Sequence, residues 1–483
     1  MANQTPPLKP IVPSYRLELL TEQQLGDIQA ATLEVLSETG IYCPSQNALS
    51  IYADHGAQVD FDSLLVRIPP DLVMDAMSHA PRFYTMGSRS PEYDLVLDGT
   101  ATFVATDGTG VETVDFNTQQ RRNSVKADVA RMARVADYLA SIAFYWPMVS
   151  AQDHPETASL HELDASFNNT IKHVQTCTVV EEITARYAIE MAGVIAGDTD
   201  SMQARPPFSS LICTIAPLAM DRESMEAALV FAEAKIPVGF MSMACGGLSS
   251  PATVAGTVAL ADAEMVAAMV LIQLAYPGAP VYHSLMPSLM DRRTGDFDGG
   301  SWNSQLFTPI SVELAHKWGV PTLTPIGPTA AVSGWESAAG IKAGLLSAAL
   351  CGADTASGIG LRETCTLLTK DGLVLDAEFI DMARVEAAGL DTSPEAFSLD
   401  MIHRVGPRGN FLKEKQIRKQ VRNLEYSELT TQVGPDGNHL DPIEVASQKT
   451  EWILQNHEPE PLEDHVQAEL NRILAAAERD LVG

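Results

Sequence analysis

Two adjacent residues of opposite charge, Arg362 and Glu363, follow an apolar run that predicts a short strand, Thr355 to Leu361. An arginine fork can clamp a carboxylate through two hydrogen bonds, and a neighbouring glutamate can orient or balance a cationic centre. The same two side chains can equally form a structural ion pair. The pattern predicts either a site for a charged ligand, with Glu363 as a catalytic group and Arg362 as a substrate anchor, or a salt bridge.

Four aromatic residues fall at or near other predicted strand ends. Phe144 and Trp146 are two positions apart and therefore share one face of a strand, while Tyr282 and Trp302 follow later in the chain. Aromatic faces attract cations, and quaternary ammonium groups are bound in this way. The alternative is ordinary packing inside the fold. We take these four aromatics, with Arg362, as the candidate substrate-binding residues.

Histidine and glycine supply further candidates. His283 can act as a general acid, donate to a cofactor, or be a satisfied core histidine. Gly246 and Gly247 precede a long helical pattern, where exposed backbone N–H groups can hold an anion or let a flat ligand approach closely. His283 is the second candidate catalytic residue. The candidate cofactor-binding residues, chosen because they stand where strands end, are Asp107, Gly108, Gly246, Gly247 and Met286.

Three cysteines offer a rival chemistry. Cys177, Cys213 and Cys245 fall near the ends of three consecutive predicted strands, and with His283 they could imitate a zinc site built from thiolates and an imidazole. Their offsets along the strands do not match well, and free cysteines are commonly buried. We therefore expect no tightly bound metal.

The elements that must position these residues alternate along the chain. Between Val320 and Glu363 an apolar run is followed by a loop, by a helical pattern from Ser337 to Leu350 that Gly352 ends, and by a second strand. Parallel strands require crossovers of this kind. The same pattern repeats upstream to about residue 100 and once more downstream, which gives eight strands alternating with eight helices.

This alternation predicts an α/β fold, the (β/α)8 TIM barrel, with the site at the C-terminal ends of the strands. An open doubly wound sheet shares the local pattern, but the crossovers are alike throughout and no GxGxxG follows the first strand. We expect an α-rich N-terminal extension over residues 1–98, the catalytic barrel over 99–395, and a C-terminal extension with a helical tail over 396–483.

Composition limits the classes of function. The 483 residues carry a formal net charge of −30, which argues against binding to nucleic acid and to anionic membranes, since both need clustered basic side chains. No signal peptide is visible at the N-terminus, and the most apolar stretch, 254–274, is interrupted by polar residues. Six cysteines without C-x-x-C spacing fit reduced thiols, so we expect a cytoplasmic protein.

Several long motifs resemble one known family. They are DGTGVETVDFNTQQRRNSVKADVARMARVAD, IPVGFMSMACGGLSSPATVAGTVALADAE and PGAPVYHSLMPSLMDRRTG, flanked by LTEQQLGDIQAATLEVLSETGI and VGPRGNFL. Together they resemble the trimethylamine methyltransferase superfamily over roughly residues 17–415. The founding members use pyrrolysine near the last barrel strands, and that position should fall in or near GIGLRE. Because this chain has no non-standard residue, it resembles the branch that lacks pyrrolysine, whose members demethylate quaternary amines such as glycine betaine.

The resemblance implies an enzyme that moves a methyl group from a methylated amine to the cobalt of a corrinoid (cobalamin) delivered by a partner protein. A quaternary nitrogen is already a good leaving group, so the protein would contribute mainly position and electrostatics. Arg362 would then anchor a betaine carboxylate, with Glu363 and His283 as orienting groups. We also expect a homo-oligomer. The alternatives are another methyl donor, such as a sulfonium or methoxy compound, and a protein that binds betaines or corrinoid without turnover.

Overall fold

The computed structural model describes residues 4–298, 301–326 and 332–482. Eight parallel strands form its central sheet. In chain order they are β1 (Phe103–Thr106), β2 (Phe144–Tyr145), β3 (His173–Thr176), β4 (Phe208–Cys213), β5 (Val238–Ser242), β6 (Val281–Leu285), β7 (Leu323–Pro325) and β8 (Thr355–Ile359).

The sheet closes on itself. Each strand pairs in parallel with its sequence neighbour, and β8 returns to β1, where Thr355 lies opposite Phe103. The pairing of β6 with β7 rests on a parallel bridge between His283 and Thr322. The predicted barrel is confirmed, and the open sheet is excluded because its first and last strands would not meet.

Eight helices cover the outside of the barrel. They are α1 (Lys126–Tyr138), α2 (Ala158–Asn169), α3 (Glu182–Ala196), α4 (Arg222–Glu233), α5 (Val254–Ala275), α6 (Phe307–Lys317), α7 (Trp335–Cys351) and α8 (Gly372–Ala387). Within the described residues, α5 is the one helix long and apolar enough to cross a membrane, but 78% of its apolar window is buried inside the protein. Its burial identifies it as a core helix.

Strand alternation decides which side chains enter the barrel. Phe208 and Phe240 point outward; Phe208 packs edge-on against Phe231 of α4, with ring centroids 5.7 Å apart. The intervening positions point inward, so Gln175 lies opposite Ser209 and Met241 lies opposite Ser284. The inward face is therefore a mixture of apolar and small polar groups.

Tyr282 fills the middle of the barrel. Its ring passes over Gly239 of the neighbouring strand, where any Cβ would collide with it, and its hydroxyl donates to the Ser210 carbonyl at 2.9 Å. The hydroxyl also lies 3.3 Å from the side-chain oxygen of Gln175. This side chain forms a floor beneath the C-terminal end of the barrel.

The N-terminal extension combines three helices, Glu22–Glu34, Gln46–Asp54 and Pro70–Ser78, with a small antiparallel sheet. A capping box between Thr21 and Gln24 starts the first helix. A hairpin, Tyr84–Met86 with Leu95–Leu97, places apolar side chains against those at the N-terminal end of the barrel. The hairpin closes that end and leaves the opposite end as the mouth.

The C-terminal extension consists of helices. The last two, Pro442–Asn456 and Asp464–Leu481, bury one face each, through Val445, Ile453, Leu470 and Ile473. The preceding short helices, Pro394–Phe397, Leu399–Val405 and Lys415–Arg422, bury very little of their surface.

Candidate active site

Inward-facing positions at and just beyond the strand ends converge at the mouth of the barrel. Asp107 follows β1, Trp146 follows β2, Cys177 follows β3, and Cys213 ends β4. Met243 and Met286 follow β5 and β6 on the opposite side, where Met243 is 40% exposed. The mouth is therefore lined by one carboxylate, one indole and several sulfur atoms.

Asp107 is the carboxylate of this lining. Its carboxylate accepts the Gly108 N–H at 3.0 Å and has the thiol of Cys365 as a neighbour, and only 6% of the residue is exposed. Burial raises the pKa of Asp107 to about 6, because its effect is larger than that of the hydrogen bonds, which lower the pKa. At neutral pH Asp107 is an ionised carboxylate with little water around it, which is a strong site for a cation.

Two features fix Trp146 in place: the hydrogen bonds of its backbone and the absence of a side chain at Gly108. The backbone N–H of Trp146 donates to the Thr106 hydroxyl at 2.8 Å, and that hydroxyl donates to the Trp146 backbone carbonyl at 2.7 Å. Its indole lies directly over Gly108, where a Cβ atom would come within 2.6 Å of the indole nitrogen. Glycine at 108 therefore lets the indole pack against the backbone next to Asp107.

The thiols at the mouth are uncharged at neutral pH. Burial raises the pKa of Cys177 to about 12, and it also raises the pKa values of Cys213 and Cys365. A protonated thiol is a poor nucleophile and a poor metal ligand. Cys245, the third member of the predicted zinc set, is buried away from the mouth and accepts from the Ser288 hydroxyl at 3.5 Å.

Among the residues that the structure describes, the group of His, Cys, Asp or Glu ligand atoms close enough to share an ion is His154, His161 and Glu478, outside the barrel. The two imidazoles are stacked with centroids 3.6 Å apart, and the Lys126 ammonium lies 2.9 Å from Nδ1 of His161. Because the Lys126 ammonium already lies against His161, this histidine–glutamate group does not support the zinc alternative.

Three polar atoms inside the barrel lack a hydrogen-bond partner among the described residues. They are Nε1 of Trp146, Nε2 of Gln175 and Oγ of Ser284. Buried polar groups in native proteins are nearly always paired, with protein, water or ligand. These atoms mark space in the barrel interior that water or a small molecule can fill.

Three buried acids on barrel helices hold the loops around the mouth. Glu162 of α2 accepts from Ala151 N–H at 3.1 Å and from the Thr178 hydroxyl at 2.5 Å. Glu264 of α5 accepts from the hydroxyls of Thr214 and Ser242 at 2.6 and 2.8 Å. Burial raises the pKa of both glutamates. Such bonds fix the loops that shape the mouth.

The third acid, Asp376 of α8, is paired with Arg362. The structure places Arg362 in a short ribbon beyond β8, fully buried, with both of its terminal nitrogens 2.8 Å from the Asp376 carboxylate. Its Nε donates to the Ser333 hydroxyl at 2.9 Å. Arg362 is therefore committed to a structural pair and anchors the loop that precedes α7, and it does not present a free fork to a substrate.

Glu363 and His283 also lie away from the mouth. Glu363 pairs with Arg121, which belongs to the ribbon outside the barrel. His283 points outward from β6, where its Nε2 donates to Asp262 at 2.8 Å and neither side chain is exposed. The two predicted catalytic residues are not brought together. Glu363 contacts the ribbon outside the barrel, and His283 is at a position of its strand whose side chain points outward.

The four aromatic candidates separate into three environments. Trp146 lines the mouth, while Phe144 and Tyr282 lie in the packed interior below it. Phe144 is fully buried and packs against the His173 ring with centroids 6.0 Å apart. Trp302 is 92% exposed on the loop after β6. The structure does not gather these four into one cage.

Among the predicted cofactor-binding residues, Asp107, Gly108 and Met286 lie at the mouth. Gly246 instead packs under the strand Ser288–Met290, since a Cβ there would come within 2.5 Å of Leu289. The Gly247 N–H donates to the Ser250 carbonyl at 2.9 Å. That N–H is already satisfied within the loop and is not free for an anion.

Apolar side chains that face solvent surround the mouth. They belong to the loops that follow the strands, and four of them are more than two-thirds exposed: Leu248, Trp302, Val332 and Trp335. Met243 and Met290 continue the ring at about 40% exposure. A rim of large apolar side chains on one face is typical of a surface that meets another molecule.

Sequence reasoning missed Cys365 and the inward-facing Gln175 and Ser284. Cys365 stands only two residues beyond Glu363, but the turn after Arg362 runs through three consecutive left-handed residues, Glu363 to Cys365. That turn brings the thiol back to Asp107 and carries Glu363 away. Small polar residues in strands otherwise rich in apolar ones are the signal that could have found Gln175 and Ser284.

Comparisons with known proteins agree over nearly the whole chain. The model of the trimethylamine methyltransferase (MTTB) family matches residues 2–481. The chain is 31% identical over 478 residues to the trimethylamine methyltransferase MttB of Desulfitobacterium hafniense, covering 97% of this chain and 95% of that protein. It is 27% identical over 476 residues to the glycine betaine methyltransferase of Desulfitobacterium hafniense strain Y51, covering 96% and 98%.

A solved structure is similar in fold. The monomethylamine methyltransferase MtmB of Methanosarcina barkeri superposes with a TM-score of 0.55 at 11% sequence identity, covering 91% of this chain and 88% of that one. At this identity the similarity concerns the fold alone.

Proposed function

The chain belongs to the trimethylamine methyltransferase family and is a methyltransferase, and from this premise we propose that it moves a methyl group from a quaternary amine, of the glycine betaine type, to the Co(I) of a corrinoid protein. The observation that carries the proposal is the buried carboxylate of Asp107 beside the indole of Trp146, at the centre of the mouth. A methylated ammonium ion is the ligand that both groups favour.

Asp107 and Trp146 stabilise such a cation in different ways. The carboxylate balances its charge in a site with little water, and the indole face attracts the methyl groups that carry most of that charge. The sulfur atoms of Met243 and Met286 supply polarizable, uncharged walls opposite them. Neutral thiols at the same mouth do not compete for the methyl group, because the thiolate is the reactive form.

Transfer of the methyl group needs position rather than proton movement. The carbon–nitrogen bond breaks with its electron pair left on nitrogen, which becomes a neutral amine, and the methyl carbon bonds to the cobalt, which supplies the electron pair. No general acid is required, and this agrees with a mouth at which Asp107 is the central ionised group. The protein's part is to hold nitrogen, methyl and acceptor in line and to exclude water.

The acceptor is a second substrate, carried by a partner protein. The apolar rim of Leu248, Trp302, Val332 and Trp335 is the surface on which we place that partner, since it surrounds the mouth and faces solvent. We place the reaction in the cytoplasm, where the six free cysteines stay reduced.

A carboxylate on the substrate would meet different residues from those first expected. Arg362 is engaged by Asp376, and Arg121 by Glu112 and Glu363. Arg292 and Arg293 are exposed near the tip of the hairpin after β6. Arg293 pairs with Asp291 of the same hairpin at 3.4 Å, so we assign the carboxylate contact to Arg292.

The test is methyl transfer in an anaerobic mixture of purified protein, Co(I) corrinoid and one amine at a time. Trimethylamine, tetramethylammonium, choline and glycine betaine form the panel, and choline against glycine betaine shows whether a carboxylate counts. We expect the absorbance of methyl-Co(III) to rise with at least one quaternary amine. No change with any member of the panel, while a known corrinoid methyltransferase responds, would overturn the proposal.

A sulfonium donor is the second candidate, and Asp107 is the observation that favours it over a methoxy compound. A sulfonium carries the positive charge that the carboxylate balances, whereas a neutral ether gains little from it. Adding dimethylsulfoniopropionate and a methoxybenzoate to the same panel separates these donors. Binding without any methyl-Co(III) would indicate the non-catalytic alternative.

A further inference from the structure

The chain makes a sharp left-handed turn just beyond β8, next to the mouth. Glu363, Thr364 and Cys365 follow one another with φ angles of 52°, 54° and 66°. Residues with a side chain rarely adopt this conformation, and three in succession complete almost one turn of left-handed helix. An extended strand would instead carry residue 365 about 10 Å beyond Arg362. Such a turn persists only where its neighbours hold it.

The turn belongs to a small four-stranded sheet, which we call the outer sheet. Its strands lie in the order Leu361–Arg362, Leu367–Leu368, Glu112–Val114 and Arg121–Asn123. The segments that follow β8 and β1 supply all four strands. Because both segments leave the C-terminal ends of their barrel strands, the outer sheet lies at the mouth.

Backbone contacts hold the base of the turn. The Thr366 carbonyl accepts the N–H groups of Val111 and Glu112, each at 3.2 Å. The turn also packs on Gly110, where a Cβ atom would come within 2.9 Å of the Thr366 oxygen. Gly110 is three residues after Asp107. The turn therefore touches the segment that carries the carboxylate of the mouth.

A network of side chains holds the turn from the outside. The two terminal nitrogens of Arg121 donate to the two carboxylate oxygens of Glu363. Nε and Nη2 of the same arginine donate to Glu112 at 3.1 and 2.8 Å. Exposed ion pairs usually contribute little, but a two-point arginine contact within a network of three charges is the exception. Arg121 thus ties the first residue of the turn to the neighbouring strand.

On its inner side the turn brings Cys365 to Asp107. The thiol lies next to the carboxylate, and Asp107 is buried while Cys365 is half-buried. In the described part of the chain, the other donor to this carboxylate is the Gly108 N–H, at 3.0 Å. A thiol proton directed at a carboxylate stabilises its ionised form. The conformation of the turn therefore sets the surroundings of the negative charge at the mouth.

Given the proposed function, in which Asp107 balances the substrate cation, we propose that Cys365 and Arg121 are positioning residues for this carboxylate. Cys365 fixes the Asp107 side chain from within, and Arg121 keeps the left-handed turn closed so that the thiol stays beside it. Neither residue is a catalytic residue. Glu363, which the sequence suggested as a catalytic group, acts only through Arg121.

The first experiment follows the turn itself and needs no methyl donor or corrinoid. Iodoacetamide labels accessible thiols, and peptide mass spectrometry gives a separate rate for each cysteine of the folded protein. We expect Cys365 of wild type to react slowly, because burial raises the pKa of its thiol. Arg121→Gln should raise the rate at Cys365 roughly fivefold, since the turn then opens more often, and should leave the rate at Cys213 unchanged.

Arg472→Gln is the matched control for Arg121→Gln. Arg472 also bridges two glutamates, Glu190 and Glu469, and its side chain is 54% exposed, compared with 45% for Arg121. It lies on the last helix of the chain, away from the outer sheet. We expect the two variants to have similar melting temperatures, and only Arg121→Gln to speed the labelling of Cys365. The difference then reports the turn and not a general loss of stability.

The second experiment titrates the carboxyl group of Asp107 by infrared spectroscopy, with Asp107→Asn as the blank that identifies its band. Wild type is expected to titrate at a pKa of about 6. Cys365→Ala should raise this pKa by about half a unit, because the ionised carboxylate loses a donor. Cys365→Ser keeps a donor and should not raise it. Arg362 and Asp376 also act on Asp107, with opposite signs, and none of these substitutions changes them.

The acidic limb of the kcat/KM profile for methyl transfer should move with the infrared titration in each variant. Equal labelling of Cys365 in wild type and Arg121→Gln would overturn the role of Arg121. An Asp107 titration that Cys365→Ala leaves in place would overturn the role of Cys365. A wild type that transfers no methyl group would contradict the proposed function instead, and the labelling and the infrared titration would still decide between these outcomes for the turn.

Discussion

A Cβ atom at Gly108 would lie 2.6 Å from the indole nitrogen of Trp146. The two residues come from consecutive strands of the barrel, and Asp107 stands immediately before the glycine. The absence of a side chain at 108 leaves room for the indole against the backbone that carries the buried carboxylate. Charge balance and cation–π attraction are thereby directed at one small volume.

Replacing Gly108 by alanine should weaken substrate binding and also lower stability. The new methyl group must displace the indole and meets the Pro147 backbone carbonyl at 2.5 Å, and because a desolvated cation–π contact contributes about 2 kcal/mol, we expect KM to rise roughly thirtyfold. Steady-state kinetics measure the rise, and tryptophan fluorescence reports the movement of the ring. Gly26→Ala is the matched control, since nothing lies within 4 Å of the added Cβ there; equal KM values for the two variants would contradict the assignment.

The activity should depend on pH in the mildly acidic range, because Asp107 changes its charge there. Its carboxylate has a pKa raised to about 6 by burial, so it is ionised above that value and neutral below it. We expect kcat/KM to fall as the pH drops through about 6, because the neutral carboxyl no longer balances the cation; kcat/KM reports the free enzyme. Asp107→Asn should remove this pH dependence and lower kcat/KM about a hundredfold at neutral pH.

The same substitution has a consequence for stability. In the folded protein Asp107 keeps its proton to about pH 6, whereas the unperturbed value is 3.8. Ionised Asp107 therefore destabilises the fold at neutral pH, and this cost begins to fall as the pH drops below about 6 and is lost only below the unperturbed value of 3.8. Asp107→Asn is expected to raise the melting temperature more at pH 7.5 than at pH 5; a lower melting temperature at pH 7.5 would show that the carboxylate is structurally required.

Arg362 should matter for stability more than for recognition. Removing one partner of a buried ion pair costs about 3–5 kcal/mol because the other charge is left unpaired. Arg362→Met is expected to lower the free energy of unfolding by that amount in urea titrations, and Arg362→Met with Asp376→Leu should recover much of it. Glu363→Gln is the control, since its partner Arg121 is 45% exposed and the loss should be small.

The apolar rim should matter for transfer to a corrinoid protein but not for transfer to free cobalamin. Trp302→Ala with Trp335→Ala removes two of the most exposed side chains around the mouth. We expect transfer to a corrinoid protein to slow at least tenfold while transfer to free cobalamin is unchanged, since a small acceptor does not need the rim. An equal loss with both acceptors would place these residues in the substrate site instead.

The sequence predicts the barrel well because its evidence is local and repeated. Apolar runs, helical patterns and stop signals such as Gly352 recur in order, and closure follows from eight similar crossovers. The family resemblance is confirmed for the same reason, since its motifs extend along most of the chain.

The site is predicted less well because it depends on direction and on distant partners. His283 and Ser284 are neighbours in sequence, yet one faces Asp262 and the other faces the barrel interior. In a strand buried on both faces, alternation of polarity does not reveal which is which. Arg362 finds Asp376 on the following helix, and no local pattern marks that pair as structural.

The measurement that tests the central claim most directly is methyl transfer to Co(I) cobalamin from the quaternary amine that the panel identifies, run side by side with wild type and Asp107→Asn at pH 7.5. We expect methyl-Co(III) absorbance to rise with wild type and to rise about a hundredfold more slowly with the variant at subsaturating substrate. Equal rates, or transfer that needs no positive charge on the donor, would contradict a mouth built to hold a methylated cation.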